Sequence, residues 1–238
     1  MTKIPSKIPR PLMFCYFFML LSLGCGENVN KPKEEPATED TDQKLEVARS
    51  YGKILFFGDS LTAGYGLEVS QAFPALIQQK MDSLGLEYSV VNAGLSGETT
   101  ASGKNRLGWV LEDRIEIVIL ELGANDGLRG IPLTETRTNL QSMVEMVREK
   151  LPNAKIILAG MKIPPNMGPA YTAEFESIFP DLASKENVSL IPFLLENVAG
   201  IPSLNQSDGI HPTIQGQKIV ANNVWDILGP MLAMENHQ

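Results

Sequence analysis

The chain has 238 residues, of which 43% are hydrophobic and 20% are charged, so it is long enough for one globular domain with a substantial core. Its formal net charge is −8 and it has no Lys- or Arg-rich stripe, which argues against a nucleic-acid partner. Both cysteines, Cys15 and Cys25, precede the predicted domain, which therefore has no disulfide, no catalytic cysteine and no cysteine-based zinc site.

The first 24 residues have the pattern of a secretory signal peptide. Lys3, Lys7 and Arg10 form a basic start, and residues 12–23 are an apolar run too short to cross a bilayer as a stable helix. Residues 25–50 are predicted to be a disordered polar spacer, because they are rich in Glu, Lys, Pro, Thr and Asp and have no apolar period.

Cys25 is a candidate lipidation site. The segment Leu-Ser-Leu-Gly-Cys at residues 21–25 resembles a bacterial lipoprotein box, although Leu23 stands where a smaller residue is usual and Ser22 where an aliphatic one is. We expect processing at Cys25 and attachment of a lipid to its thiol, so that the exported protein is periplasmic or anchored to a bacterial membrane. An ordinary cleaved signal with an incidental Cys25 is the alternative.

Short apolar runs alternate with helical periods within the predicted domain, residues 51–238. The runs are mostly β-branched and continuous rather than alternating, which indicates strands buried on both faces. They lie at residues 53–57, 88–92, 115–120, 155–158 and 188–191. Five strands with intervening helices predict a parallel sheet in a three-layer α/β/α domain.

Four helical periods accompany these strands. Their apolar positions are Ile77, Met81 and Leu84, then Leu140, Met143, Val144, Val147 and Leu151, then Phe175, Ile178, Phe179 and Leu182, and finally Val220, Val224, Ile227 and Leu228. Gly85 and Pro152 are predicted to end the first two helices. The last helix is predicted to begin near Pro212 and to stop at Gly229-Pro230, because Gly and Pro break helices.

The predicted topology places the candidate site residues at one edge of the sheet. Right-handed crossovers place every strand-to-helix loop at one edge of a parallel sheet, and ligands bind outside the carboxyl ends of the strands. Ser60 follows the first strand, Gly94 the second and Asn125 the third, whereas Asp208 and His211 follow the fifth. Four segments that are distant in sequence are therefore expected to meet.

A serine hydroxyl needs a base before it can act as a nucleophile. His211 can take the proton of Ser60, because the chain has only one other histidine, at its extreme C-terminus, and Asp208 can hold the second ring nitrogen. An attacked carbonyl becomes an oxyanion, for which the Ser60 N–H, the Gly94 N–H and the Asn125 side-chain amide are the candidate donors.

Each of these segments also has a simpler interpretation. Ser60 or Asp59 could cap a helix, the segments at Asn125 and Asp208 are common turn sequences, and His211 could begin a helix. Their joint occurrence at the ends of four predicted strands favours the catalytic interpretation over four coincidences.

Four blocks of the chain resemble the SGNH (GDSL) hydrolase family. They are Gly-Asp-Ser-Leu at residues 58–61, Asn-Ala-Gly-Leu-Ser-Gly-Glu-Thr at 92–99, Gly-Ala-Asn-Asp at 123–126 and Asp-Gly-Ile-His-Pro at 208–212. The resemblance extends from about Lys53 to Leu232. The stretches at 61–66 and 121–130 are similar to the bacterial periplasmic arylesterase, acyl-thioesterase and lysophospholipase branch of the family.

The resemblance implies a flavodoxin-like SGNH hydrolase fold with no metal and no organic cofactor. It implies that Ser60 is the nucleophile, His211 the base and Asp208 its partner. It also implies an oxyanion hole formed by the Ser60 N–H, the Gly94 N–H and the Asn125 side chain.

Residues 127–132 are a candidate substrate-binding loop, in which two glycines flank a short tip and the candidate binding residues are Leu128, Arg129, Ile131 and Pro132. We expect this loop to move over an acyl chain, and a static connector is the alternative. Residues 161–171, which are rich in Pro and Gly, are expected to form another wall of the cleft.

We therefore expect a serine esterase that hydrolyses acyl esters, and thioesters or lysophospholipids, through an acyl-enzyme. A carbohydrate O-acetyl esterase is the alternative of the same class, and a lipid- or glycan-binding lipoprotein without turnover is the alternative of another class. The expected partners are a small acyl substrate and, through a lipid on Cys25, a membrane. The chain is expected to act as a monomer.

Overall fold

The computed structural model describes residues 51–235, so the predicted signal peptide, the spacer and Cys25 lie outside the described residues. The strands of the described part are β1 (Gly52–Gly58), β2 (Tyr88–Gly94), β3 (Ile115–Glu121), β4 (Lys155–Ala159) and β5 (Ser189–Ile191). Its α-helices are α1 (Ser60–Ala63), α2 (Phe73–Ser83), α3 (Thr100–Val110), α4 (Ala124–Leu128), α5 (Leu133–Lys150), α6 (Pro169–Glu186) and α7 (Ile214–Glu235).

The strands form a parallel sheet in the order β2-β1-β3-β4-β5. The central strands β1 and β3 are buried on both faces, as their continuous apolar runs predicted. Helix α2 packs against α7, and α3 and α6 pack against α5, which gives two helical layers. The predicted three-layer α/β/α fold is confirmed, and the five strand boundaries differ from the predicted ones by at most two residues.

Helix α3 was not predicted, because its sequence gives almost no apolar period. Leu107 is fully buried, but most of the helix is polar or small, so few large apolar side chains mark its inner face. The available signal was at its start, where Thr99 accepts the Ser102 N–H and the Ser102 hydroxyl accepts the Thr99 N–H. This reciprocal cap defines a helix start without any apolar pattern.

Two helix-end predictions need correction. Leu84 is the exposed C-cap of α2 rather than a member of its buried face. The predicted stop at Gly229-Pro230 is wrong, because α7 continues to Glu235. Pro230 removes a single i to i−4 hydrogen bond, whereas continuing the helix buries Leu232 completely in the core, so apolar burial outweighs the local break.

The loops that leave β1, β2, β3 and β5 lie at the carboxyl edge of the sheet, where the candidate site residues were expected. Among the described helices, none has both the length and the apolar character needed to span a membrane.

The extension of α7 can be tested at Leu232. We expect L232A to destabilise the domain by about 2–5 kcal/mol, because it removes a fully buried side chain from a packed core. Chemical denaturation of the wild type, L232A and the control K218A, at an exposed position of the same helix, measures the difference. Equal stability of L232A and K218A would show that the chain beyond Pro230 does not pack on the core.

Candidate active site

The site begins at the turn between β1 and α1, which we call the serine turn (residues 58–62). Asp59 is the N-cap of α1, and its Oδ1 accepts the Leu61 N–H at 2.9 Å. Ser60 is the first residue of the helix, so the alternative in which Ser60 caps the helix is wrong. The cap leaves the Ser60 hydroxyl available for a different partner.

That partner is His211, which lies 151 residues away in sequence. Its Nε2 is 2.8 Å from Ser60 Oγ, and its Nδ1 is 2.7 Å from Asp208 Oδ2. Asp208 Oδ1 also accepts the backbone N–H groups of Ile210 and His211, at 2.9 and 3.0 Å. The structure thus brings the three predicted side chains into one hydrogen-bonded chain, with the carboxylate and the hydroxyl on opposite ring nitrogens.

Asp208 is set up to remain ionised. Burial raises its pKa, but hydrogen bonds from the His211 backbone, the His211 ring and the Ile210 backbone outweigh this and lower the pKa to about 2. Its carboxylate is therefore charged at any pH at which the protein is expected to work. It can hold the imidazole tautomer whose Nε2 accepts a proton, and it can stabilise the imidazolium that follows.

Two residues that sequence reasoning missed support the imidazole. The ring of Tyr65 lies against that of His211, with centroids 4.5 Å apart. Gln206 Nε2 donates to the carbonyls of Tyr65 at 2.7 Å and Pro212 at 3.1 Å, and so joins the two loops. Gln206 and Tyr65 are 141 residues apart, and no local motif connects them.

The predicted role of Gly94 does not fit the structure. Its N–H donates to Asn92 Oδ1 at 3.0 Å, so it is not free for a substrate. A Cβ at this position would lie 2.2 Å from the Ala63 nitrogen, which shows that glycine is needed here for close packing of β2 on α1. The pocket at Ser60 is lined instead by Ser96 and Gly97, further along the same loop.

Gly97 is the better candidate for the backbone donor. It lines the pocket together with Ser60 and Asn125, and its N–H has no protein acceptor within residues 51–235. Both Gly94 and Gly97 lie in the same block of sequence, and only the tertiary contacts separate the packing glycine from the one at the pocket.

The Asn125 amide is held from both ends. Its Nδ2 donates to Asp59 Oδ2 at 2.9 Å, and its Oδ1 accepts from Arg129 Nη2 at 3.3 Å. The same Arg129 nitrogen donates to the Gly97 carbonyl at 3.1 Å. One N–H of the Asn125 amide remains for a ligand, and Arg129 ties it to the Gly97 loop.

An ion pair beneath the Gly97 loop fixes its position. Arg106 donates to both carboxylate oxygens of the buried Glu98, at 2.8 and 2.5 Å, and to the Ala93 carbonyl at 2.8 Å. Its guanidinium also lies 4.2 Å from the centroid of the Phe57 ring. Donors held in this way cost little reorganisation when negative charge develops in front of them.

The serine pocket opens into a larger apolar groove. The pocket encloses about 180 Å³ and the groove about 440 Å³, and they share Leu61, Ala124, Leu128 and Ile210. One wall of the groove contains Met161, Lys162, Ile163, Pro164 and Pro165, so only the first part of the segment 161–171 lines the cleft. Within the described residues, no group of three or more His, Cys, Asp and Glu side chains is placed to hold a metal ion.

Residues 56–219 match the sequence model of the GDSL-like Lipase/Acylhydrolase family. The chain belongs to this family. It is 42% identical over 180 residues to esterase TesA of Pseudomonas aeruginosa, which covers 75% of this chain and 89% of that protein. It is 39% identical over 180 residues to thioesterase 1/protease 1/lysophospholipase L1 of Escherichia coli, covering 75% and 84%.

Solved structures of family members have the same fold. A crystal structure of TesA superimposes with a TM-score of 0.71 at 41% identity, covering 75% of this chain and 98% of that one. The psychrotrophic esterase EstA from Pseudoalteromonas gives 0.72 at 36% identity, covering 76% and 99%. The SGNH resemblance drawn from the four sequence blocks is therefore confirmed, and the chain is a carboxylic ester hydrolase of this family.

Of the four residues predicted to bind substrate in the loop 127–132 of this SGNH hydrolase, one lines the cavities and three do not. Leu128 lines both the pocket and the groove. Arg129 instead donates hydrogen bonds to the Asn125 side chain and the Gly97 carbonyl. Ile131 and Pro132 line neither cavity. The Ile131 carbonyl accepts the Tyr171 hydroxyl at 2.9 Å, and Pro132 is the N-cap of α5.

The contact of Arg129 with two oxyanion candidates generates a prediction. We expect R129A to lower kcat by about 10-fold with little change in KM, because both donors stay present but lose their alignment. Steady-state kinetics on a short chromogenic ester measures the effect. The control is R137A, which removes an exposed arginine paired with Asp181. A wild-type kcat in R129A would contradict the assignment.

Proposed function

We propose that Ser60 is the nucleophile of an acyl-enzyme mechanism, with His211 as general base and Asp208 as its orienting partner. The observation that carries the proposal is the hydrogen-bonded chain from Ser60 Oγ through the imidazole to Asp208, at 2.8 and 2.7 Å. It is supported by membership of a family whose members include proteins named esterase, arylesterase and thioesterase.

The first half of the reaction follows from this geometry. His211 Nε2 takes the proton of Ser60 as Oγ attacks the acyl carbon, and the imidazolium is stabilised by the Asp208 carboxylate. The oxyanion that forms is placed before the Ser60 N–H, the Gly97 N–H and the free N–H of Asn125. Protonated His211 then gives its proton to the departing alcohol or thiol, which leaves an acyl ester on Ser60.

The second half repeats these steps with water. His211 removes a proton from a water molecule, which attacks the acyl-enzyme, and the same donors face the second oxyanion. The acid is released and Ser60 recovers its proton from His211. Apart from the substrate and water, every group used in these steps is a side chain or a backbone N–H of this chain.

The apolar groove supports acyl esters and thioesters with long chains as substrates, lysophospholipids included. It continues directly from the serine pocket, and its lining is largely aliphatic or aromatic, with Leu128, Met161, Ile163 and Phe193 among its residues. An acetyl group would leave this groove empty, so the carbohydrate O-acetyl esterase has no comparable support. Each methylene buried there should contribute about 0.8 kcal/mol, or roughly fourfold in kcat/KM.

This substrate preference can be tested with a series of p-nitrophenyl esters from acetyl to palmitoyl. We expect kcat/KM to rise along the series until the groove is filled. A199W, which places an indole on the groove wall, should lower the rate on the dodecanoyl ester by at least about 10-fold and leave the acetyl ester nearly unchanged. E149W, at an exposed position of α5, is the control, and S60A gives the background.

The alternatives give different results in the same experiment. A strict preference for acetyl would favour the glycan O-acetyl esterase. Absence of turnover, together with failure of a fluorophosphonate to label Ser60, would favour a binding protein without catalysis. Full activity of S60A would refute the nucleophile assignment.

We also propose that the enzyme is exported and held at a membrane through a lipid on Cys25. The support is the basic and apolar N-terminal pattern followed by the lipoprotein-like segment at residues 21–25. We expect the mature protein to begin at Cys25 with the mass of added acyl chains, and to partition into detergent. C25S should lack that mass and remain in the aqueous phase. Mass spectrometry that finds an unmodified N-terminus elsewhere would exclude the anchor.

A further inference from the structure

A second acidic residue lies directly beneath the serine turn. Glu121, the last residue of β3, is 1% exposed. Its Oε2 accepts the Asp59 N–H at 3.1 Å and the Thr62 hydroxyl at 2.7 Å, so one oxygen holds both ends of the turn. Its other oxygen, Oε1, is buried and has no hydrogen-bond partner in the described residues. The reaction described above does not use this carboxyl group.

Gly58 leaves space for this carboxyl group because it has no side chain. It is the register partner of Glu121 across the β1–β3 pair. A Cβ at position 58 would lie 2.4 Å from Glu121 Oε2 and 2.2 Å from Thr62 Oγ1. The glycine of the Gly-Asp-Ser-Leu block therefore makes room for the contact between β3 and the serine turn.

Asp59 and Glu121 form a buried pair of acids with different surroundings. Each Asp59 oxygen has a donor, the Leu61 N–H on Oδ1 and the Asn125 amide on Oδ2, whereas one Glu121 oxygen has none. In the described residues no Lys or Arg contacts either carboxyl group, and His211, when protonated, is the cation that acts on Asp59. A single negative charge on the pair is therefore better placed on Asp59.

The electrostatics agree with this placement. Burial raises the pKa of Asp59 to about 6, against the hydrogen bonds from Leu61 and Asn125 that lower it. Burial, together with the nearby charge of Asp59, raises the pKa of Glu121 well above its usual range, despite the hydrogen bonds from Thr62 and Asp59.

We propose that Glu121 is a positioning residue that acts as an uncharged acid: it fixes the serine turn through Asp59 and Thr62 and leaves the negative charge on Asp59, which orients Asn125. The role rests on the proposed function of Ser60 and Asn125. Glu121 is buried and lines neither the serine pocket nor the apolar groove. It acts through the turn that carries the serine and through the carboxylate that aims an oxyanion donor.

Two substitutions separate charge from shape. E121A removes the acceptor, so we expect kcat to fall by about 100-fold with KM within about threefold, as for a small displacement of reacting groups. E121Q keeps an uncharged acceptor of the same size, so kcat should recover to within about threefold of the wild type. E116Q and E116A, at an exposed position of the same strand, are the matched controls.

Stability against pH gives a readout that does not depend on turnover. The raised pKa values mean that the folded state binds more protons than the unfolded state above about pH 4, so these two acids reduce stability as pH rises through that window. E121Q removes the contribution of Glu121. Its Tm relative to the wild type should therefore increase from about pH 5 to about pH 9, whereas E116Q should show no such trend.

Three results would overturn the role proposed for Glu121. E121Q that is as impaired in kcat as E121A, or whose Tm falls below the wild type as pH rises, would show that Glu121 acts as a carboxylate and would overturn the proposal. Wild-type kcat in E121A would do the same. If E121A does not fold, kcat and Tm of E121Q still decide. Fluorophosphonate labelling of Ser60 in the wild type tests the nucleophile separately, so its failure is not confused with failure of this role.

Discussion

The serine turn must point one hydroxyl at a histidine that is 151 residues away, and the rest of the site depends on how this turn is held. Asp59 meets the requirement by capping α1 with one oxygen and holding Asn125 with the other. Because the cap is Asp59, the Ser60 side chain is not consumed by the helix start. Asp59, which directly follows β1, therefore also connects the serine turn to Asn125, the side chain proposed to face the developing oxyanion.

The two arms of the site are built in different ways. On the histidine side, Asp208 accepts three N–H groups within one loop turn, so most of that geometry is local. On the side of the proposed oxyanion donors, Gly97 lies in the loop after β2 and Asn125 lies in α4, and Arg129 contacts both. Local contacts can orient an imidazole, whereas donors from two segments that are distant in sequence need a tertiary contact such as that of Arg129 to align them.

The ion pair beneath the Gly97 loop positions that loop more than it stabilises the fold. The Glu98–Arg106 pair is largely buried, and such a pair often contributes little net free energy after the cost of removing both charges from water. Its position explains its presence, since it joins the Gly97 loop to the Ala93 carbonyl and the Phe57 ring.

The five strands, the parallel sheet and the Ser60, Asp208 and His211 positions could be predicted from the amino-acid order, because continuous apolar runs mark buried strands and a single candidate base leaves little choice. Tertiary structure alone decided that Gly97 rather than Gly94 faces the pocket and that α7 runs past Pro230. The reason is physical: the direction of a backbone N–H and the burial of a helix end depend on what packs against them across the sheet, and that neighbour is distant in sequence.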